Sequence, residues 1–538
     1  MRLQPRFFKS RALLLGTLSP LIAARIACAE PAADALPTGF ATSGPAAVTT
    51  SGNTMTVTQT DCRVIIDWES FDIGRDARVD FVQPRGRSIA INRVTNSSGD
   101  PSRIYGQLNA NGTVVILDRN GIVFGAGAKV DTSGIIAATG TLANPAGFLS
   151  GSHPVFNDIA TQSGARIDNH GEITVRDAGL AAFVAPEVHN SGIIRARLGS
   201  VTLASGDAAT LDMYGDGLWS IEVTGALAGN ITRLRNSGVI EADGGRIFLT
   251  TRTAQAAADN IINNTGVISA QRYAQKDGKI ILSHTGVPAV ERRNVVMAGT
   301  DSPLQNVFDG VAADGSTTVY LGSGTYHGAF TLSRPMRVIN ENFNNIAHLV
   351  SPDSGPALRI AANNVEIQNL KITGGVYAEA VKGLKLMLNN FAQAVIGAGN
   401  LLTLKRTSGT ELTGNYFTHF GSGGPVILDA AANTTFDGNY FLGSGDYAVS
   451  SQGGSGLRIL DNNLFIGAFG IPVLATPAVS GIDDSRIQTR PAPVTLPKSD
   501  AEIVIVDSAS IDIAGLAALS PAAGGEEAGC GAAQDACR

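Results

Sequence analysis

The chain has 538 residues, a formal net charge of −6, 44% hydrophobic residues and only 16% charged ones. That length and apolar content supply more than one core, the acidic balance argues against binding nucleic acid or anionic membranes by charge, and four cysteines exclude a disulfide scaffold. Glycine at 63 residues and aromatics at 6% describe a chain of short strands and tight turns rather than amphipathic helices.

Residues 1–29 read as a signal peptide. Arg2, Arg6, Lys9 and Arg11 form a positive start, Ala12 to Ala24 is mostly apolar, and Ala27-Cys28-Ala29 is a small-x-small cleavage site. The apolar run is well short of the ~20 residues of a membrane span. Arg25 stands where a lipoprotein signal would carry an aliphatic residue. No later segment reads as an integral membrane span, and removal of the leader takes five positive charges and no acids, leaving a more acidic mature chain. Residues 30–49 read as a linker. Cys62 reads as a buried thiol.

From about residue 160 one phrase recurs: Asn169-His170-Gly171, Asn190-Ser191-Gly192, Asn236-Ser237-Gly238 and Asn264-Thr265-Gly266, each an Asn-x-Gly turn feeding a short alternating strand. The intervals are 21, 46 and 28 residues. After residue 300 a second phrase takes over, in Asn369-Leu370-Lys371, Asn389-Asn390-Phe391, Asn415-Tyr416-Phe417, Asn439-Tyr440-Phe441 and Asn463-Leu464-Phe465, at intervals of 20, 26, 24 and 24. A steady period of this size marks a solenoid whose coils bury their apolar faces only by stacking. The alternative, a sandwich or propeller with coincidental turns, does not account for the even period. The expected fold is all-β: a right-handed parallel β-helix with an N-terminal cap and two consecutive helical regions, in which the repeated Asn forms a ladder between coils. Between the two regions Leu304 to Asp309 reads as one helical turn. Five prolines between residues 472 and 497 mark the exit from the helix. Ala501 to Asp507 reads as a closing strand, and an Ala/Gly-rich tail carries Cys530 and Cys537, spaced to close a small disulfide loop.

Ahead of these repeats lies an ordered set of motifs: Trp68-Glu69-Ser70-Phe71, Phe81-Val82-Gln83, Asn92-Arg93-Val94-Thr95, Ser102-Arg103-Ile104-Tyr105-Gly106, Ala110-Asn111-Gly112 and Asp118-Arg119-Asn120-Gly121-Ile122. Together they resemble the N-terminal secretion domain of the filamentous haemagglutinin family, over about residues 50–290. The resemblance implies a domain at 50–299, export through the periplasm and outer membrane of a Gram-negative bacterium by a cognate two-partner-secretion transporter, and a secretion signature at Trp68, Phe71, Asn92, Arg93, Val94, Asn120, Gly121 and Ile122. Asp118-Arg119 departs from the family's Asn-Pro. Residues 317–332 resemble the first coil of pectin-lyase-like β-helices, which implies such a module at 300–475 and an exit and tail at 476–538.

That second resemblance invites an enzyme reading. Its acids are Asp429, Asp437, Asp446 and Asp461, and its bases His327, His419, Lys382 and Arg406. No catalytic phrase surrounds them, and neither a metal motif nor a cofactor motif is present. The sequence therefore predicts a non-enzymatic surface-binding rod or adhesin, with the transporter and a host-cell or glycan receptor as partners and no cofactor. A polysaccharide-acting enzyme is the alternative.

Overall fold

The computed structural model describes residues 30–475 and 488–490, apart from 97, 160–163, 207, 214–218, 226–232, 252–261, 275, 285–286, 341, 343–344, 354, 396–398 and 461. The leader with Ala27 and Ala29, most of the proline-rich exit, the expected closing strand and Cys530 and Cys537 lie outside the described residues.

The chain is a right-handed parallel β-helix in two regions. In the first, each coil crosses three faces. Gln107–Ala110, Thr113–Leu117 and Ile122–Phe124 form one coil, and they pair in parallel with Lys129–Thr132, Gly134–Ala138 and Arg166–Asn169 of the next. The segment expected as a linker is instead part of the cap. Ala41–Ser43 pairs antiparallel with Arg63–Trp68, and Ala46–Ser51 pairs antiparallel with Thr54–Gln59. These strands occupy the edge that the first coil would otherwise leave open. Cys62 is half-buried and disulfide-bonded, which corrects the reading of it as a free thiol; every other cysteine of the chain lies outside the described residues.

One face of this region is buried on both sides. Gly134–Ala138, Leu180–Val184 and Ser200–Ser205 are buried at every position. Ile135, Ala181 and Val201 fill the helix interior, while Ile136, Ala182 and Val184 pack outward against Phe148 and Phe156. Those two rings come from an excursion within one coil, between Gly134–Ala138 and Arg166–Asn169, that includes the short helix Pro145–Leu149 and the strand Val155–Asn157. Arg63 fastens the excursion to the first coil, donating to the Phe148 carbonyl at 2.9 Å with its guanidinium 5.2 Å from the Phe148 ring.

The Asn-x-Gly phrase has a double cause. Asn169, Asn190 and Asn236 are buried, and each passes an amide N–H to the side-chain oxygen of the next, ending on Asn264, at 2.7, 2.7 and 2.8 Å. The glycine two residues on lies against the coil beneath: a Cβ at Gly192 would come within 2.1 Å of the Gly171 carbonyl oxygen. The later repeat builds a second ladder, Asn389 to Asn415 to Asn439 to Asn463 at 3.1, 2.9 and 3.0 Å. Beside it runs a stack of Phe391, Phe417, Phe441 and Phe465 with centroids 4.8, 5.0 and 4.8 Å apart. Asn369, the copy that lacks the following aromatic, ends this ladder by donating to the Asn340 carbonyl at 2.7 Å.

The two regions share one continuous sheet, yet their cores lie on opposite sides of it. Val295–Ala298 pairs antiparallel with Val267–Ala270 and parallel with Thr318–Leu321. Val295, opposite Ala270, belongs to the first core, whereas Val296 and Ala298, opposite Val319 and Leu321, belong to the second. Strand direction and core side reverse together. That combination is a half-turn, which preserves hand, so both regions wind the same way. The helix Leu304–Gly310, expected as a single turn, buries Leu304, Val307 and Phe308 at the start of the second core. At the far end Gln488–Arg490 pairs with Leu464–Ala475, so the ladder continues past residue 475.

Asn415 both donates to the Leu386 carbonyl and accepts the Asn389 backbone N–H. Its replacement by alanine therefore leaves buried polar groups without partners. We expect Asn415→Ala to lower stability by about 3 kcal/mol, and the half-exposed Asn390→Ala by no more than about 0.5 kcal/mol, read by urea denaturation. Equal costs would show that the ladder carries no special weight.

Candidate functional site

The signature residues divide by the direction in which their strands point them. Trp68, Phe71, Asn92 and Ile122 are buried. Trp68 sits edge-on to Phe40 and Phe71, and its Nε1–H donates to Asn92 Oδ1 at 2.9 Å. Asn92 Nδ2 donates to the Val115 carbonyl of the next coil at 3.1 Å. These groups close the first coils, and Ile122 fills the interior. Gly121, at φ +120°, turns the chain where a Cβ would come within 2.8 Å of the Arg166 carbonyl oxygen. Ala110-Asn111-Gly112 is likewise structural, because Asn111 exchanges two 2.7 Å hydrogen bonds with the Gln83 backbone.

Val94, next along the strand from Arg93, packs back against the first core, whereas Arg93 and Asn120 point the other way, into a groove of about 570 Å3. Asp67, Asn96 and Arg119 line it with them, and Thr141 and Leu142 of the excursion form a further part of the wall. Arg93 makes a bidentate pair with Asp67 at 2.7 and 2.8 Å, each side chain about a third exposed. Asn120 Nδ2 donates to Asn96 Oδ1 at 3.2 Å. The sequence reading missed Asp67, Asn96 and the excursion. The available signal was register: Asp67 lies opposite Arg93 in the ladder, one coil away.

The departure at Asp118-Arg119 is accommodated. Asp118 is buried, its Oδ1 accepting the Asn120 N–H at 2.9 Å and its Oδ2 the Ser102 N–H and hydroxyl at 2.9 and 2.7 Å. The carboxylate thus makes the turn that the family makes with asparagine, and Arg119 adds a cation to the groove where the family has proline. Burial pushes the Asp118 carboxyl up to about 6, against the opposing pull of those hydrogen bonds.

The acids and bases of the enzyme reading do not gather. His419 is buried, with Nδ1 3.0 Å from the Ser444 carbonyl. Asp446 accepts the Gly423 N–H at 2.9 Å, and Asp437 accepts from Asn462 at 2.5 Å. Arg406 pairs with Glu379, which also takes Lys405. Asp429 lies opposite Lys405, and the Lys382 N–H donates to Asn363. His327 lies on the same run of paired strands as His419 but four coils away, and Asp461 lies outside the described residues. Among the described residues no group of three or more metal-ligating side chains occurs, and no helix is long and apolar enough to cross a membrane.

Residues 33–297 match the TPS secretion domain family. The matched stretch is the cap and first region of the helix. A heme/hemopexin-binding protein of Haemophilus influenzae strain Rd is 34% identical over 247 residues, which are 45% of this chain and 26% of the relative. A second heme/hemopexin-binding protein of Haemophilus influenzae is 30% identical over 269 residues, 46% of this chain and 28% of its own. The HMW1 secretion domain of Haemophilus influenzae aligns over 83% of this chain and 100% of its own at 20% identity, with a TM-score of 0.40. The chain thus spans about a quarter of the length of the curated relatives it matches. The TPS match and the two heme/hemopexin-binding relatives support a two-partner-secretion exoprotein, and neither of those relatives is named for a catalytic activity.

Asp118 sets a pH dependence. Between its ordinary 3.8 and about 6 the folded chain holds a proton that the unfolded chain releases, so this group adds stability as pH falls from 7 to 5. We expect that gain to be about 1 kcal/mol and to be absent in Asp118→Asn, measured as the difference between urea midpoints of the two chains at the two pH values.

Proposed function

We propose that this chain is the exoprotein of a two-partner-secretion pair. It crosses the periplasm and the outer membrane of a Gram-negative bacterium with a cognate transporter that reads the groove around Arg93 and Asn120. It then acts at the cell surface or in the medium as a surface-binding rod or adhesin. The observation that carries the reading is the match to the TPS secretion domain, with strands that hold polar groups outward in one groove while their other residues close the core. The second region, read as pectin-lyase-like, is the part left to meet a receptor. The relatives' names raise heme or hemopexin as ligands, but the matched stretches amount to less than half of this chain, so the receptor is argued from the second region instead. Dispersal of the candidate acids and bases favours binding over polysaccharide cleavage.

The test is secretion of the full chain with and without its transporter, scored in medium, surface and periplasm. We expect strict dependence on the transporter. Arg93→Ala and Asn120→Ala should each cut export at least tenfold while the purified variants melt within a few degrees of the parent, because exposed ion pairs contribute about 0–1 kcal/mol. Arg337→Ala, an ion-pair variant of the second region, should be exported normally. Export without a transporter would remove the reading, and normal export of both groove variants would move recognition elsewhere on the domain.

A further inference from the structure

The second region carries a groove of about 420 Å3 at one corner of the helix, a size within the range of small-molecule sites. It arises from unequal turns on successive coils. Ala347–Val350 connects to Leu358–Ile360 through residues 351–357, and Asn390–Ala392 connects to Leu402–Lys405 through residues 393–401. The coil between them turns the same corner with Gly374 and Gly375 alone, at φ +102° and +88°. Side chains are excluded there: a Cβ at Gly374 would lie 2.6 Å from Ser351 Cβ, and one at Gly375 2.7 Å from the Asn400 carbonyl oxygen. The glycine pair therefore cuts a notch between two longer turns.

The notch opens beside a column of outward residues. Arg359, Tyr377 and Thr403 lie opposite one another on three successive coils, and all three line the groove. The Arg359 guanidinium is exposed, stands 5.1 Å from the Tyr377 ring centroid, and makes no ion pair or hydrogen bond among the described residues. A guanidinium oriented by an aromatic face, with its donors unused, matches a carboxylate bidentately. Nearby polar walls come from Ser351, Asn400 and Gln393, whose Nε2 has no partner among the described residues. Asp353, the one acid in the lining, already accepts Ser351 Oγ and the Gly355 N–H through Oδ1. No second carboxylate faces it, so the groove suits binding rather than glycoside cleavage.

We propose that this notch binds a carboxylated sugar, with Arg359 taking the carboxylate and the polar walls the hydroxyls. The inference rests on the proposed function only in placing the second region outside the cell. Calorimetry on the purified secreted chain would use a galacturonate hexamer, its methyl ester, sialyllactose and a neutral galactose hexamer. We expect binding of at least one carboxylated probe, the two separating a uronate-containing polymer from a terminal sialic acid as the source. Ester and neutral probes should bind at least tenfold more weakly. Arg359→Ala should lose at least tenfold, Arg359→Lys should fall between, and the exposed Arg458→Ala should match the parent. Exposure of Arg359 means that its variants should keep the parent's melting temperature. Failure of both carboxylated probes, or unchanged binding by Arg359→Ala, would overturn the site. Because binding is read on purified chain, either result leaves the secretion experiment to judge the exoprotein reading separately.

Discussion

A buried side-chain amide has to place its two N–H groups and its oxygen, and in this fold the matching partner is another amide one coil away. Asn190 and Asn415 each satisfy both sides of that requirement with the neighbouring coils. Removing either partner strands polar groups in a dry core, which costs far more than an exposed hydrogen bond returns. The ladder therefore fixes the register of every coil it touches. Once register is fixed, the side chains that face in and those that face out are fixed too, and the stacked glycines and phenylalanines follow. The groove of the second region lies on coils tied together at Asn369 and Asn389, and the groove around Arg93 lies on the first coils, aligned by strand pairing and by the Trp68–Asn92–Val115 hydrogen bonds.

The repeat was legible because the ladder writes a corner residue into the sequence once per coil. Asn169, Asn190, Asn236 and Asn264 mark the corner of successive coils, and the interval of 46 residues, which the period reads as two coils, holds one coil with an excursion. The residue types at Trp68, Asn92, Gly121 and Ile122 have a similar cause, since core closure and tight turns admit few of them. What could not be read was the outward side. Asp67 is an ordinary aspartate until register sets it opposite Arg93. Likewise Leu142, Phe148 and Phe156 carry no periodic signal, because the excursion leaves the coil that creates the period. The cap was misread as a linker because its strands are short and pair antiparallel, outside the repeat.

The joint between the regions shows how little sequence is needed to change the geometry of a solenoid. A single hairpin, Lys279–His284 with Val287–Arg293, reverses the chain, and one strand, Val295–Ala298, then serves two cores with alternate residues. A simple continuation would have kept one core. A reversal without a change of side would have demanded the opposite hand, which right-handed crossover geometry disfavours. The half-turn avoids both problems and joins the regions through backbone hydrogen bonds, with no slack between them.

Such an architecture also suits the proposed export of the chain across the outer membrane. Coil-to-coil contacts span roughly one repeat of sequence, so a growing end can stack on what is already formed without waiting for distant segments. The cap and the first signature coils lie at the N-terminal end, where they would provide the first completed surface. The same nearest-neighbour logic explains why recognition can be placed at corners. A coil's interior is committed to its neighbours, but the length of a corner turn is not. Gly374-Gly375 between two long turns changes the outer surface and leaves the ladder of Asn389, Asn415 and Asn439 at another corner untouched. Variation confined to such turns can therefore alter what the rod binds without altering how it folds.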